Sequence, residues 1–365
     1  MNTLEPTTID EAQAMLRTLR QRVMFVGGGT QLGLGPPPEL LLKTGQLNRI
    51  VEYAPSDQVV TVEAGVTLAA LQQELHKQGQ RLSLDPPLPE RATLGGIIAA
   101  NSFGPLRTRY GSVRDLIIGV SIVRADGTRA KGGGKVVKTV AGFDLPKLMC
   151  GSLGTLGLIV TANFRVHPLP ESHATLVARD VPASGVFALV KAMRAAQLEP
   201  TAMVATRTGA AWEIAVRFEG FEAGVKQQRE KLRSLSSFED AGGSGDAGGS
   251  GDVWTAHEKL RTAGEVRVKV AALPSQFEQV AEALPDFRLC WYPTLGLGFA
   301  LRDGAVDLES ARRSLAALGG SLTVEAAPGG SAWGAPPDSL RVHQMMKARF
   351  DPQGLLAPGR FIGGI

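Results

Sequence analysis

Four glycine-rich bursts decide how this chain reads: Thr93–Gly104 (TLGGIIAANSFG), Arg109–Asp115 (RYGSVRD), Lys131–Lys135 (KGGGK) and Cys150–Gly157 (CGSLGTLG). Apolar runs of strand-like composition lie between them, out to Val166. Glycine weakens strands and helices and belongs where φ must be positive or where another backbone or a ligand comes close. Together with the earlier Gly27-Gly28-Gly29-Thr30-Gln31, the bursts predict turns that wrap a long phosphate-bearing cofactor.

Working outward, 365 residues exceed one ordinary core, so two domains are expected. Hydrophobic residues make up 44% and charged residues 20%, a balance that can bury a sizeable interior. The net charge of +4 comes without a lysine or arginine run, which argues against nucleic acid as a partner. Cys150 and Cys290 are far apart and flanked by apolar or aromatic residues, so they read as reduced buried thiols. No CxxC pair is present to hold an iron–sulfur cluster or a cysteine-based metal site. The opening MNTLEPTTIDEAQ has no basic stretch followed by an apolar one, and no later run is long enough to span a bilayer. The expected location is cytoplasmic, with peripheral association at the inner face of a membrane left open.

Along the chain, Thr8-Ile9-Asp10-Glu11 has capping-box spacing and opens a helix with Ile9, Ala12, Leu16 and Leu19 on one face. Arg22 to Val26 predicts a buried strand that ends in Gly27-Gly28-Gly29. Gly33, Gly35 and Pro36-Pro37-Pro38 follow and forbid a helix there, which excludes the G-x-G-x-x-G helix start of a dinucleotide-binding Rossmann unit. Short strands are expected at residues 40–43, 50–53, 59–63, 81–84, 116–124, 128–131 and 156–166, with helices after Thr67 and at 146–150. The first domain then spans residues 1–170. Residues 171–337 alternate strand-like and helix-like runs in a β-α-β-β-α order that recurs, predicting a second, mostly antiparallel domain. Within it the doubled Ala-Gly-Gly-Ser-Gly-Asp at 241–252 reads as a flexible loop without a specified structure. Residues 338–365 form a helix and a turn-rich tail that returns toward the first domain. The fold class is α+β throughout.

Taken alone, Gly27-Gly28-Gly29-Thr30 is either a simple turn or a nest of backbone N–H groups for a phosphate. Its company is more specific: Thr93-Leu94-Gly95-Gly96, Ala99-Ala100-Asn101-Ser102-x-Gly104, Tyr110-Gly111-x-x-Arg114-Asp115, Asp126-Gly127 and Gly151-Ser152-Leu153-Gly154-Thr155-Leu156-Gly157 follow in one order. That set resembles the FAD-binding domain of vanillyl-alcohol-oxidase type FAD-linked oxidases over the first half of the chain. Gly132 to Leu145 (GGGKVVKTVAGFDL) and the short second domain are most similar to the FAD-binding subunits of bacterial glycolate oxidase (glycolate dehydrogenase).

The resemblance implies that Gly27, Gly28, Gly29, Thr30 and Gln31 hold the pyrophosphate of an FAD. Thr93, Gly95, Gly96, Ala99, Asn101, Ser102 and Gly104 would lie along the diphosphate and flavin. Ser152, Gly154, Thr155, Gly157 and Ile159 would border the adenosine or the ring, with Tyr110, Arg114 and Asp115 supporting these loops; Arg114 and Asp115 read equally well as a structural pair. Thr30-Gln31-Leu32 offers neither histidine nor cysteine, so the FAD is expected to be noncovalent. The resemblance also implies a small 2-hydroxy-acid substrate such as glycolate, and as partners a larger FAD-linked catalytic subunit and an iron–sulfur subunit.

The catalytic group is less legible. Larger relatives carry a Gly-Asp-Gly-Asn-x-His metal-binding element, whereas this chain has only His76, His167, His173, His257 and His343, none of them clustered, and no metal site is expected. His257 and His343 are the weak catalytic candidates, each set against the commoner reading of a solvated histidine on a helix. Residues 349–354 resemble the family's closing motif, but Ala357-Pro358-Gly359 stands where relatives have Asn-Pro-Gly. Two functions remain: oxidation of a 2-hydroxy acid by this chain as part of a complex, or FAD binding in an electron-transfer or structural role beside a separate catalytic subunit.

Overall fold

Thr8 starts the first helix, Ile9–Thr18, by accepting a hydrogen bond from the Glu11 amide at 3.1 Å. The Glu11 carboxylate reaches back to Thr7, taking its N–H at 2.7 Å and its hydroxyl at 2.8 Å, so the capping box closes one residue earlier than its spacing implies. Ala12, Leu16 and Leu19 are buried and pack with Leu40 and Leu42. Those leucines belong to a three-stranded parallel sheet in the order Asn2–Leu4, Leu40–Lys43, Val23–Val26. The computed structural model describes residues 2–33, 35–135, 142–241, 253–304, 306–327 and 332–365. Val136 to Ala141 of the KGGGKVVKTVAGFDL stretch and all but the first residue of the doubled AGGSGD segment lie outside the described residues.

The chain separates into two units, the first formed by Met1–Gly104, Tyr110–Leu169 and Ala335–Ile365, the second by Pro105–Arg109 and Pro170–Gly334. In the first unit a five-stranded antiparallel sheet has the order Ile50–Ala54, Val59–Glu63, Leu158–Arg165, Ile117–Val123, Arg129–Gly133. Its core joins Val60, Val62, Ile122 and Phe164 to leucines of the helix Leu68–His76 and to Ile97 and Ile98.

The strand expected at 81–84 fails here, and a helix forms where no element is expected. Leu94–Ala100 is a helix, capped by the Thr93 hydroxyl, which accepts from the Gly96 amide at 3.3 Å. Glycines and isoleucines disfavour a helix locally, but a Cβ on Gly95 would stand 2.7 Å from that of Ala64; close packing on the sheet overrides propensity. At residues 81–84 only Gln80–Arg81 pairs, with His167–Pro168. Leu84 N–H turns back onto the Leu82 carbonyl at 2.7 Å, and the prolines that follow cannot donate to a ladder.

The second unit is one eight-stranded antiparallel sheet, ordered Glu239–Asp240, Ser172–Val181, Ala211–Gly220, Ala202–Thr208, Arg288–Tyr292, Leu297–Arg302, Val266–Ala271, Ser321–Ala326. The recurrent β-α-β-β-α pattern becomes two β-α-β-β-α-β repeats, with helices Ala183–Ala195 and Glu222–Leu235 in one and Phe277–Ala283 and Leu308–Ala317 in the other. Their strand orders mirror each other across the central pairing of Ala205 with Trp291 and Thr206 with Cys290. Trp212 meets Phe277 edge to face, and Phe277 meets Trp291 at a tilt, within the core that these helices cover. Tyr292, the next residue along its strand, points to the other face, where the helix Val253–Thr262 meets it through His257. Among the described residues no helix is long and apolar enough to cross a membrane.

Candidate functional site

The parallel strand Val23–Val26 delivers Gly27-Gly28-Gly29 to the mouth of a cleft of about 720 Å³ in the first unit. Around it the fold gathers Thr30, Gln31, Thr93, Gly95, Gly96 and Ala99, and from the far side Gly154, Gly157 and Ile159. Segments more than a hundred residues apart thus converge on one hollow. Gly27 and Gly28 are fixed by packing, since a Cβ would lie 1.9 Å from Thr93 Oγ1 and 1.6 Å from the Arg91 carbonyl oxygen respectively. Gly29 differs: its φ of +68° is left-handed, and a Cβ there meets nothing nearer than Leu32 at 3.5 Å.

The donors of this cleft divide sharply. The amides of Leu94 and Gly95 are spent on the carbonyls of Val66 and Ala64, both at 2.8 Å, and that of Gly96 on Thr93. Among the described residues, the amides of Gly28, Gly29, Thr30 and Gln31 donate to no protein acceptor. Successive free N–H groups on a glycine turn make an anion cradle. Thr93 to Gly96 therefore shape the cleft, while Gly28 to Gln31 can bind.

Arg360, which motif reasoning missed, completes the site. It is 6% exposed, lines the cleft, donates to the Gln31 carbonyl at 2.8 Å and contacts the Met24 sulfur. Burial lowers its pKa from the ordinary arginine value. The tail carries it there: Val23 N–H bonds the Leu355 carbonyl and Ala357 N–H bonds the Val23 carbonyl, each at 2.8 Å, so the tail runs parallel beside the strand before the glycine turn. The closing motif at residues 349–354 and the Pro358-Gly359 turn marked this tail in sequence, but nothing local linked residue 360 to residue 31.

The remaining candidates lie elsewhere. Asn101 holds the left-handed C-cap of the helix Leu94–Ala100, and the Ser102 amide bonds the Ile97 carbonyl. Gly104 packs against Asp85, whose carbonyl oxygen a Cβ would approach to 1.9 Å. Tyr110 receives a 3.0 Å hydrogen bond from Arg81 and lies against His167. Asp115 accepts the Ser112 amide at 2.8 Å and hydroxyl at 3.0 Å, a capping role. Ser152 and Thr155 line a different cavity, with Arg114 and His343.

Neither histidine is a solvated helical residue. His343 is half-buried against Phe361, and Lys347, one turn on, is partly buried and donates to the Thr155 carbonyl, so this helix face is not merely solvated either. His257 is 5% exposed, and its Nε2 shares a 3.1 Å hydrogen bond with the Tyr292 hydroxyl. Burial, with Arg261 nearby, pushes its pKa down to about 3, so it is neutral and a weak base. Arg261 donates to the same hydroxyl at 3.1 Å and stacks its guanidinium over Phe299. Lys269 is held below the ordinary lysine pKa by burial, opposed by Glu325 and reinforced by Arg107 and Arg261. This face of the second unit therefore sets Arg261 on the Tyr292 hydroxyl, with Lys269, Arg107 and the Glu325 carboxylate in electrostatic reach of one another.

Residues 2–133 match the family described as FAD binding domain. The chain is 30% identical to the glycolate oxidase subunit GlcE of Escherichia coli (strain K12), over 96% of this chain and 97% of that protein. It is 27% identical to the glycolate oxidase subunit GlcD of Bacillus subtilis (strain 168), covering 98% and 88% of the two chains. Among solved structures, an alkyldihydroxyacetonephosphate synthase superposes with a TM-score of 0.72 at 16% identity, over 98% of this chain and 77% of that one. The expected α+β fold with a vanillyl-alcohol-oxidase type FAD-binding domain is thereby borne out.

Proposed function

Since the chain belongs to the family of the glycolate oxidase subunit GlcE, we propose that it is the FAD-binding subunit of a multi-subunit glycolate dehydrogenase, an FAD-dependent oxidoreductase acting on small 2-hydroxy acids. The observation that carries the reading is the run of free amides from Gly28 to Gln31 on a glycine-walled cleft, where a pyrophosphate would be held. The Arg360 guanidinium beneath Gln31 adds fixed positive charge. When bound, FAD supplies the two-electron acceptor that no side chain offers. Among the described residues, those lining the cleft include neither histidine nor cysteine, which supports a noncovalent cofactor. Acid or heat denaturation should release the yellow colour from the polypeptide.

Arg261 and Lys269 would hold the substrate carboxylate, and the Tyr292 hydroxyl, oriented by His257 and Arg261, would meet the substrate's hydroxyl. Cys290 is buried, with its pKa pushed up to about 12 by burial, and Cys150 is likewise a neutral thiol. Electrons would leave through a partner, an iron–sulfur subunit of the same complex, beside a larger FAD-linked catalytic subunit. The weak basicity of His257 favours keeping a second reading, in which this chain binds FAD and passes electrons while the larger subunit does the chemistry. Anaerobic addition of glycolate or D-lactate to the FAD-loaded chain alone separates the two: bleaching of the flavin absorbance assigns the chemistry to this chain, and an unchanged spectrum assigns it to the partner.

A further inference from the structure

The loop of residues 150–157 divides two hollows of the first unit. One is the glycine-walled cleft; the other, of about 910 Å³, opens between that loop, the short helix Leu145–Met149 and the C-terminal helix Leu340–Phe350. Leu148, Leu156, Met346 and Phe361 give this second cavity an apolar wall, and Arg114, Lys147, Ser152 and His343 a polar one.

Among the described residues, Asp144 is the one carboxylate side chain on the wall, and Lys147 holds it at 2.7 Å. Arg114 is exposed at the rim, and among the described residues no hydrogen bond or ion pair engages its guanidinium. Two hydrogen-bonding groups are also unspent. Ser152 is 6% exposed, and its hydroxyl oxygen is buried without a protein partner. The Nδ1 of His343 is in the same condition. Buried polar atoms are normally satisfied, and those that are not point to something that satisfies them. The Thr155 hydroxyl and the Cys150 thiol are already committed, to the carbonyls of Ser152 at 2.7 Å and Pro146 at 3.3 Å. The thiol's pKa, pushed up to about 12 by burial, rules it out as a nucleophile at neutral pH.

We propose that this cavity is a second ligand site, distinct from the glycine-walled cleft, for an organic anion with an apolar body, such as a carboxylate or sulfonate on an aliphatic or aromatic frame. Arg114 meets the anionic group, Ser152 and His343 complete its hydrogen bonds, and Leu148, Leu156, Met346 and Phe361 cover the rest. Ser152, which sequence placed beside the flavin, serves this second ligand instead. The assignment does not depend on which reaction the flavin performs.

The test is titration of the full-length, FAD-saturated protein with 8-anilinonaphthalene-1-sulfonate, followed by fluorescence and calorimetry. Saturable one-to-one binding is expected, about tenfold weaker in Arg114→Ala and several-fold weaker in Ser152→Ala, with bound FAD unchanged in both. Arg114 is exposed, so its replacement leaves the fold intact and keeps the comparison clean. Non-saturable binding, equal binding in wild type and Arg114→Ala, or binding that FAD abolishes would each overturn the proposal, the last by returning the cavity to the flavin site.

Discussion

Lys347 and Asp351 form an ion pair of 2.7 Å whose carboxylate side chain is fully buried. The same ammonium donates to the carbonyls of Thr155 at 2.9 Å and Leu356 at 2.6 Å, while the Asp351 carboxylate accepts the amides of Leu355 at 3.1 Å and Leu356 at 2.7 Å. One pair thus ties the C-terminal helix, the loop after Cys150 and the tail that carries Arg360. Removing the carboxylate would leave a partly buried cation and two buried amides unmet. Asp351→Ala should cost about 3–5 kcal/mol and lower flavin content, because Arg360 loses its footing. Lys347→Met should cost less, since the carboxylate keeps its two amides. Chemical denaturation of both variants and the double mutant checks this; equal and additive losses would show that the pair does not act as a unit.

The glycine turn should respond unequally to a single methyl group. Gly28→Ala pushes a Cβ into the Arg91 carbonyl, so it should destabilise the fold and release FAD together. Gly29→Ala meets only Leu32, at ordinary contact distance, and carries the left-handed penalty, about 1–2 kcal/mol, with the fold retained. Flavin content and melting temperature of the two variants should therefore diverge, and a Gly29→Ala protein as damaged as Gly28→Ala would contradict the packing described.

These relationships explain what could be read from the chain and what could not. The Thr8 and Thr67 caps, the apolar faces of their helices and the turn at Asp126-Gly127 were legible because local hydrogen bonds and short-range periodicity determine them. The helix at Leu94–Ala100 was not, since its two glycines and two isoleucines make sense only against Ala64. The glycine cleft was legible as a motif, but which amides are free depends on where Val66 and Ala64 place their carbonyls. Arg360, and the contact of Arg261 with Tyr292, come from segments that no local pattern joins.

Acid should loosen the fold through histidines that are kept neutral. His257 has its pKa depressed from 6.5 to about 3, and His167, largely by burial with Arg165 and Arg81 near it, from 6.5 to about 4. In the unfolded chain both take up a proton below pH 6.5; in the folded chain they do so only below their depressed values. The unfolded state therefore binds more protons across this window, so the full contribution is present above pH 6.5 and is lost as pH falls toward 3–4. His257, which is buried, should contribute a slope of about 1.4 kcal/mol per pH unit in mid-window, and the half-buried His167 a smaller one. His257→Gln should remove one such slope from the unfolding free energy between pH 6 and pH 5, even where it lowers stability at pH 8. An unchanged slope would mean that His257 is not held neutral.

Lys269 offers a test of the carboxylate site. Burial holds its pKa below the ordinary lysine value while Glu325 opposes that shift, so a methionine of similar length removes both the buried charge and its attraction to Glu325. If Lys269 were only structural, Lys269→Met would change stability and leave activity untouched. With Lys269 part of a carboxylate-binding group with Arg261, the substitution should instead raise KM for glycolate in the assembled complex at least tenfold. Flavin content should stay at wild-type level, because Lys269 belongs to the second unit and the glycine cleft to the first. Steady-state kinetics with glycolate alongside thermal unfolding of the same preparation decide it; unchanged KM with an altered melting temperature would move the carboxylate site away from Tyr292.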